Sequence, residues 1–360
     1  MKHSPLHERH LALNAKMADF GSWLMPIEYP GSGVLAEHTA VRERVGIFDV
    51  SHLGKASVTG AGALTFLNSQ VTNDLEKIGD GSAQYNLLCN KDGGVIDDLI
   101  IYRKSPEDLF LIPNAANTSA VVDVLSASAP AGVVVKNLHE EFAVIAVQGP
   151  RSRDLLGKLG LDTSIDYMAF TEVEISGHRA ILCRTGYTGE IGFELLPRWK
   201  DATVVWDALV EAMGEFDGAI CGLGARDTLR TEMAYPLHGH ELSLDITPVH
   251  AAATWAVAWD KEFVGKESLL AMKSDQLIPR IRGIKSLDRG IPRAGMRVLR
   301  GQDDVGVVTS GTFSPTLKVG IGLALLPREI KVGDHLTVDV RGRMSQVEVI
   351  ALPFHPARVR

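Results

Sequence analysis

Tyr85-Asn86-Leu87-Leu88-Cys89-Asn90, Lys91-Asp92-Gly93-Gly94 and Val95-Ile96-Asp97-Asp98-Leu99-Ile100-Ile101-Tyr102-Arg103 follow one another and read as a single β-hairpin. Two β-rich runs flank a Gly-rich turn, the pattern that closes an antiparallel pair. With the turn at 91–94, Asn90 faces Val95, Leu87 lies opposite Asp98, and Tyr85 lies opposite Ile100. Opposite residues share a face, and faces alternate along each strand. Tyr85, Leu87, Asp98, Ile100 and Tyr102 therefore share one face, and Asp97, Leu99 and Ile101 take the other. Burial of a carboxylate among such side chains raises its pKa and suits it to proton or cation chemistry. The pattern alone favours the plainer reading, in which Asp98 is a solvated charge flanking the turn.

Outward from the hairpin, the spacing of Leu11, Ala15 and Ala18 predicts an N-terminal helix broken by Gly21 and Pro26. A second helix is expected over 37–45, a strand over 109–112, and a helix over 118–126 with Val121, Val122 and Leu125 inward. The apolar run 142–147 reads as a buried strand, and 171–175 and 179–184 as two more. Helices are expected over 151–159, 201–213 and 225–234, the last stopped by Pro236. After about residue 271 the chain turns Arg/Lys/Pro/Gly-rich, then Val/Gly-rich with many turns, as in a small all-β domain. This divides the chain into an N-terminal α+β region at 1–136, a central α+β region at 137–278 that can interleave with it, and a β domain at 279–360.

At 360 residues the chain suits two or three domains of ~150 residues each. A net charge of -7 argues against a nucleic-acid binder, which carries a basic surplus. Cys89, Cys183 and Cys221 each follow an apolar residue and form no C-x-x-C, so buried free thiols in a reducing compartment are expected. The N-terminus has no apolar signal segment, and no apolar run is long enough to span a bilayer. The expectation is a cytoplasmic protein with no membrane contact.

Two more stretches combine glycines with polar groups. Arg184-Thr185-Gly186-Tyr187-Thr188-Gly189-Glu190-Ile191-Gly192-Phe193-Glu194 lets a backbone approach a ligand closely, or is a Gly-rich hairpin with Tyr187 packed on its own strand. Gly222-Leu223-Gly224-Ala225-Arg226-Asp227-Thr228-Leu229-Arg230 lacks the third glycine of a dinucleotide loop and the Lys-Ser/Thr of a P-loop. Arg226 and Arg230 fall one helical turn apart and can grip a carboxylate, or pair with Asp227 or Glu232 on the surface. The His7/His10 and His238/His240 pairs lack a third ligand at metal spacing, and no nucleophile elbow occurs.

Taken in order, Phe48-Asp49-Val50-Ser51-His52, Gly93-Gly94-Val95-Ile96-Asp97-Asp98-Leu99, Gln148-Gly149-Pro150, Arg184 to Glu190, Gly224-Ala225-Arg226-Asp227 and Thr309-Ser310-Gly311-Thr312-Phe313-Ser314-Pro315-Thr316 resemble the glycine cleavage T-protein family of aminomethyltransferases. The resemblance runs from the N-terminal segment to Pro353-Phe354. It implies a three-lobed fold around a central hole for tetrahydrofolate, with a C-terminal barrel or jelly-roll-like domain. It implies transfer of the one-carbon unit from the aminomethyl-lipoyl arm of H-protein to tetrahydrofolate, with release of ammonia. It makes Asp98 the catalytic aspartate, and Tyr85, Asn114, Tyr187, Glu194, Arg226 and Tyr235 the lining of the folate. The face shared with Asp98 adds Ile100 and Tyr102. Glu194 suits the amide-like edge of a pterin, aromatic rings its flat face, and Arg226 the anionic glutamyl tail. No metal, flavin or nicotinamide is expected.

The sequence departs from the family pattern at Leu53 (methionine is usual), Pro113 (a β-branched residue), His250 (glutamate) and His355 (tyrosine). One rival is a folate-binding relative that maintains iron–sulfur clusters. Its K-G-C-Y-x-G-Q-E signature has no cysteine counterpart in Asp260-Lys261-Glu262-Phe263-Val264-Gly265-Lys266-Glu267. A second rival is the folate module of an amine demethylase, for whose flavin domain there is neither fingerprint nor length.

Overall fold

A computed structural model describes residues 1–360. The hairpin forms from strands Ser82–Cys89 and Val95–Ser105, with Tyr85 opposite Ile100 and Leu87 opposite Asp98, as the alternation requires. The turn is one residue tighter than expected. Cys89, not Asn90, faces Val95, and a bulge at Ile96 restores the register. The Asn90 side chain accepts from Asp92 N at 3.0 Å and Gly94 N at 2.9 Å, and this local turn draws Asn90 against Gly94.

The hairpin edges a five-stranded sheet that continues through Asp108–Ile112, Ala56–Thr59 and Val134–Asn137. Pro113 ends the Asp108–Ile112 strand, so its missing N–H costs the ladder nothing. A six-stranded sheet runs Phe170–Ile175, His178–Cys183, Gly192–Pro197, Ile145–Gln148, Gly46–Asp49 and Ala219–Cys221. The Gly46–Asp49 strand thus joins partners from two distant parts of the chain, and the first two regions interleave.

The two sheets face each other. Phe48, Ala146, Ile181 and Leu196 of one pack against Ala83, Tyr102, Phe110 and Ile112 of the other. Outside the six-stranded sheet lie helices Ser152–Lys158 and Ala202–Met213, which bury Leu155, Leu156, Val205, Trp206 and Leu209. Outside the five-stranded sheet lie Ala63–Gln70 and Thr118–Ser128, which bury Phe66, Leu67, Val121 and Leu125 on Leu99 and Ile101. Val122 only fringes that core. Asp98, Ile100 and Tyr102 therefore look into the gap between sheets, and Leu99 and Ile101 look away from it.

The N-terminal helix is shorter than expected. It covers His7–Ala12, and Ala15 and Ala18 lie beyond it, Ala18 in strand Lys16–Phe20, which pairs with Trp23–Glu28. Asn14 at φ 54° stops the helix, and the burial of Trp23 and Met25, two apart, imposes a strand's period. From Arg280 onward the chain closes a six-stranded barrel. No helix is long and apolar enough to cross a membrane.

Candidate functional site

The gap between the sheets is apolar at its centre and polar towards one end, where Asp98 lies. Asp98 is only partly exposed, and both its carboxylate oxygens are engaged. Tyr85 Oη donates to Oδ2 at 3.0 Å and Asn114 Nδ2 donates to Oδ1 at 2.9 Å. The solvated-charge reading therefore fails. Burial raises the Asp98 pKa, and the Tyr85 hydroxyl, the His238 field and Asn114 pull it back.

Asp97, on the other face, is not idle. Fully buried, it accepts from Asn114 N at 2.9 Å, Asn114 Nδ2 at 2.9 Å and Asn117 Nδ2 at 2.7 Å. Burial and the adjacent Asp98 charge raise its pKa. Asp97 thus fixes the loop whose Asn114 orients Asp98.

Across the gap from Tyr102 stands strand Gly192–Pro197 of the other sheet. Glu194 alternates with Leu196 and so faces the same gap. Thr185 Oγ1 donates to Glu194 Oε2 at 2.5 Å, and the Tyr102 hydroxyl sits 3.3 Å from the same Thr185 oxygen. Tyr102 is itself fully buried, so it backs Glu194 through Thr185 and has no open face of its own. Ile100 packs on the central apolar cluster beside it.

The glycines of the 184–194 stretch answer to Gln148. Its Nε2 donates to Thr185 O at 3.1 Å and Phe193 O at 3.2 Å, and Thr188 Oγ1 donates to its Oε1 at 2.8 Å. A Cβ on Gly186 or Gly192 would come within 2.1 Å and 2.4 Å of the Gln148 amide. These two glycines make room for a buried amide that shapes the loop, and do not themselves admit a ligand. The loop presents Tyr187, which packs on Tyr235 with ring centroids 5.7 Å apart and donates to Pro236 O. Tyr187 is therefore not packed on its own strand.

Helix Leu223–Glu232 supplies the cation. Arg226 Cζ lies 4.6 Å from the Tyr187 ring centroid, and Arg226 makes neither a side-chain hydrogen bond nor an ion pair. Burial lowers its pKa, with the fields of Glu194 and Tyr187 opposing. Arg230 pairs with Asp227, as one reading expected, but it is buried and its second carboxylate is Glu241, not Glu232. It is spent on Asp227 at 2.8 Å, Glu241 at 3.0 Å and Ser310 Oγ at 2.8 Å. One guanidinium of the two is left for a ligand. The fields of Arg230, Asp98 and Arg226 all reach the half-buried Tyr187 phenol, and Tyr187 and Asp98 both bear on Tyr85. Tyr85, Asn114 and Asp98 are thus linked at one end, Tyr187, Tyr235 and Arg226 at another, and Glu194 is braced through Thr185 by Tyr102, while Ile100 and Tyr102 belong to the apolar core.

Known proteins resemble this chain along its whole length. The GCVT N-terminal domain matches residues 6–261, and the glycine cleavage T-protein C-terminal barrel domain matches residues 280–355. The chain belongs to the glycine cleavage T-protein family. The aminomethyltransferase of Parafrankia sp. (strain EAN1pec) is 58% identical over 363 residues, covering 100% of this chain and 99% of that one. The aminomethyltransferase of Mycobacterium tuberculosis (strain H37Rv) is 55% identical, covering 99% and 98%. The crystal structure of glycine cleavage system aminomethyltransferase T from Bartonella henselae superposes with a TM-score of 0.93 at 32% identity over 99% of each chain. This T-protein is an aminomethyltransferase, and the demethylase and iron–sulfur readings are not favoured.

Two residues at the T-protein site escaped the sequence reading. Trp255 is 68% exposed and stacks on Tyr85 with ring centroids 5.3 Å apart. It lies in a long irregular segment without periodicity to reveal its face. His238 hydrogen-bonds Val95 O at 3.0 Å and bears on Asp98. Its pairing with His240 in the sequence suggests at most a metal ligand, and no group of three or more His, Cys, Asp or Glu is placed to hold a metal.

Proposed function

We propose that this aminomethyltransferase takes the one-carbon unit from the aminomethyl-lipoyl arm of an H-protein and passes it to tetrahydrofolate, with Asp98 as the group that stabilises the transfer. The observation that carries the reading is the carboxylate of Asp98, oriented by Tyr85 and Asn114, facing the same gap as the unpaired guanidinium of Arg226. A bound reduced folate would set its pterin edge against Glu194 and its glutamyl carboxylates against Arg226. Tyr187, Tyr235 and Tyr85 offer flat faces to its rings.

The transferred carbon gains iminium character as its bond to the lipoyl sulfur breaks, and again, once bonded to a folate nitrogen, as its bond to the amine breaks. A carboxylate near that carbon stabilises the growing positive charge more in the transition state than in the ground state. Two folate nitrogens, N5 and N10, each form a bond to that carbon and each give up a proton, as the lipoyl sulfur departs as the thiol and the amine departs as ammonia. Asp98 would also accept a hydrogen bond that orders the attacking nitrogen. Glu194, braced by Thr185 and Tyr102, serves binding alone. We assign the 137–278 region the larger share of the folate contacts and the 1–136 region the catalytic hairpin. The protein would work in the cytoplasm, without a metal, flavin or nicotinamide.

Transfer from loaded H-protein to tetrahydrofolate by the purified protein tests this reading directly. Calorimetry should show tetrahydrofolate binding that Glu194→Ala weakens at least tenfold. Absence of transfer with a loaded, homologous H-protein overturns the assignment.

A further inference from the structure

Several arginines of this chain are neutralised by carboxylates, among them Arg9, Arg42, Arg103, Arg230 and Arg300. Three arginines gathered at one end of the barrel have no carboxylate partner. Arg280 and Arg282 stand two apart on strand Arg280–Ser286, so their side chains leave on the same face. Two residues further along, that face carries Ile284 of the barrel core, which puts the two arginines at the rim where the core opens. Arg280 pairs across the ladder with Leu326, and Arg328 follows two residues later.

Arg328 is held in place by neutral acceptors. Its Nε donates to Ile278 O at 3.2 Å and one terminal nitrogen to Gln276 Oε1 at 3.1 Å. Arg280 has its pKa lowered by burial and then by the charges of Arg328 and Arg282, with no carboxylate opposing them. The buried Nε of Arg282 and the buried Nη2 of Arg328 have no acceptor. The titratable group that bears on Arg280 from the packing loop is His250, whose carbonyl accepts from Ile281 N at 2.8 Å. His250 cannot neutralise the cluster as a carboxylate at that position would.

Like charges held together with buried N–H groups unmatched form a site completed by an anion. Each unmade buried hydrogen bond is costly, and guanidinium forks match the oxygens of a phosphate-type group. We propose that Arg280, Arg282 and Arg328 bind a phosphate-type oxyanion, at a site distinct from the Arg226 locus. The anion would tie the segment Gln276–Ile278 to the barrel rim through Arg328.

Calorimetric titration of the full chain with potassium phosphate, at ionic strength held constant with potassium chloride, tests this. The parent is expected to show one saturable site. Arg282→Gln and Arg328→Gln should each weaken it at least tenfold, whereas Arg226→Gln leaves it within twofold. Aminomethyl transfer at the parent rate in Arg282→Gln would verify its fold, and Arg280→Gln, which perturbs no buried unmatched atom, serves if that variant misfolds. A parent that shows no saturable phosphate binding overturns the proposal. So does unchanged affinity in the folded cluster variants, or loss in Arg226→Gln.

Discussion

Asp98→Asn removes a charge while leaving a shape in place. The amide oxygen can keep the donation from Asn114 Nδ2, now at 2.9 Å, and the amide nitrogen would face the Tyr85 hydroxyl, now at 3.0 Å, which can rotate to accept. The hydrogen-bond count is conserved, so the fold should lose only ~1 kcal/mol. The loss falls on the transition state. One preorganised electrostatic contact is worth ~3 kcal/mol there. At about 1.36 kcal/mol per decade this is roughly a hundredfold in turnover. The assay is aminomethyl transfer from loaded H-protein at saturating tetrahydrofolate, with folate affinity measured separately by calorimetry. Turnover should fall about a hundredfold and affinity less than fivefold. Turnover within threefold of the parent refutes the electrostatic argument. Unchanged kcat with a raised KM reassigns Asp98 to binding.

Asp97→Asn should not be silent, contrary to what its place on the opposite face suggests. A single amide oxygen cannot serve the three N–H groups that Asp97 accepts, so a loss of ~2 kcal/mol should appear in urea unfolding. Arg226→Gln should raise the KM for tetrahydrofolate about tenfold, and much less for a pterin lacking the glutamyl tail, because one charge-assisted contact is worth ~1.5 kcal/mol or more. Glu232→Gln strikes a buried network in which the carboxylate meets Arg42 at 2.8 Å, Ser314 Oγ at 2.5 Å and Thr316 Oγ1 at 2.9 Å, and should destabilise by about 3 kcal/mol or more in thermal melts. Acid should act through the same network. Although burial opposes it, the His38 contact, Ser314 and Arg42 hold the Glu232 carboxyl down at about 2, below the ordinary 4.5. Its stabilisation is therefore present above pH 4.5 and is lost as pH falls towards 2. Burial likewise lowers His139 from 6.5 to about 4, so acid favours the unfolded chain there too. In urea unfolding the stability advantage of the parent over Glu232→Gln should shrink as pH falls from 4.5 towards 2, and an advantage independent of pH contradicts the assigned shift.

The hairpin register was legible because a period of two leaves no freedom once Asp98 and Leu87 are paired. The bulge at Ile96 was not, because it follows from where one Asn90 side chain turns. Local patterns found the helices that carry a full apolar stripe, such as Ala202–Met213. They failed for Ala15 and Ala18, where tertiary burial of Trp23 and Met25 outweighed helical spacing. The separation of Arg226 from Arg230 was also hidden, since Glu241 and Ser310 reach Arg230 only through the folded chain. The roles of Gly186 and Gly192 depended on Gln148, which is close in space and distant in sequence. Family resemblance supplied what spacing could not, namely the expectation that Asp98, Glu194 and Arg226 serve one folate site.

The strand Gly46–Asp49 has a consequence for how the protein is made. Its partners are Ile145–Gln148 on one side and Ala219–Cys221 on the other. A nascent chain emerging from the ribosome therefore carries Ile47 and Phe48 without either neighbour while the next hundred residues are synthesised. Pairings of such long sequence separation form slowly, and bare apolar strand edges invite aggregation meanwhile. The barrel from Arg280 onward completes its own ladder and needs no such wait. Chaperone demand should therefore concentrate on the first two hundred residues, and a slowed translation past residue 221 should raise the soluble yield.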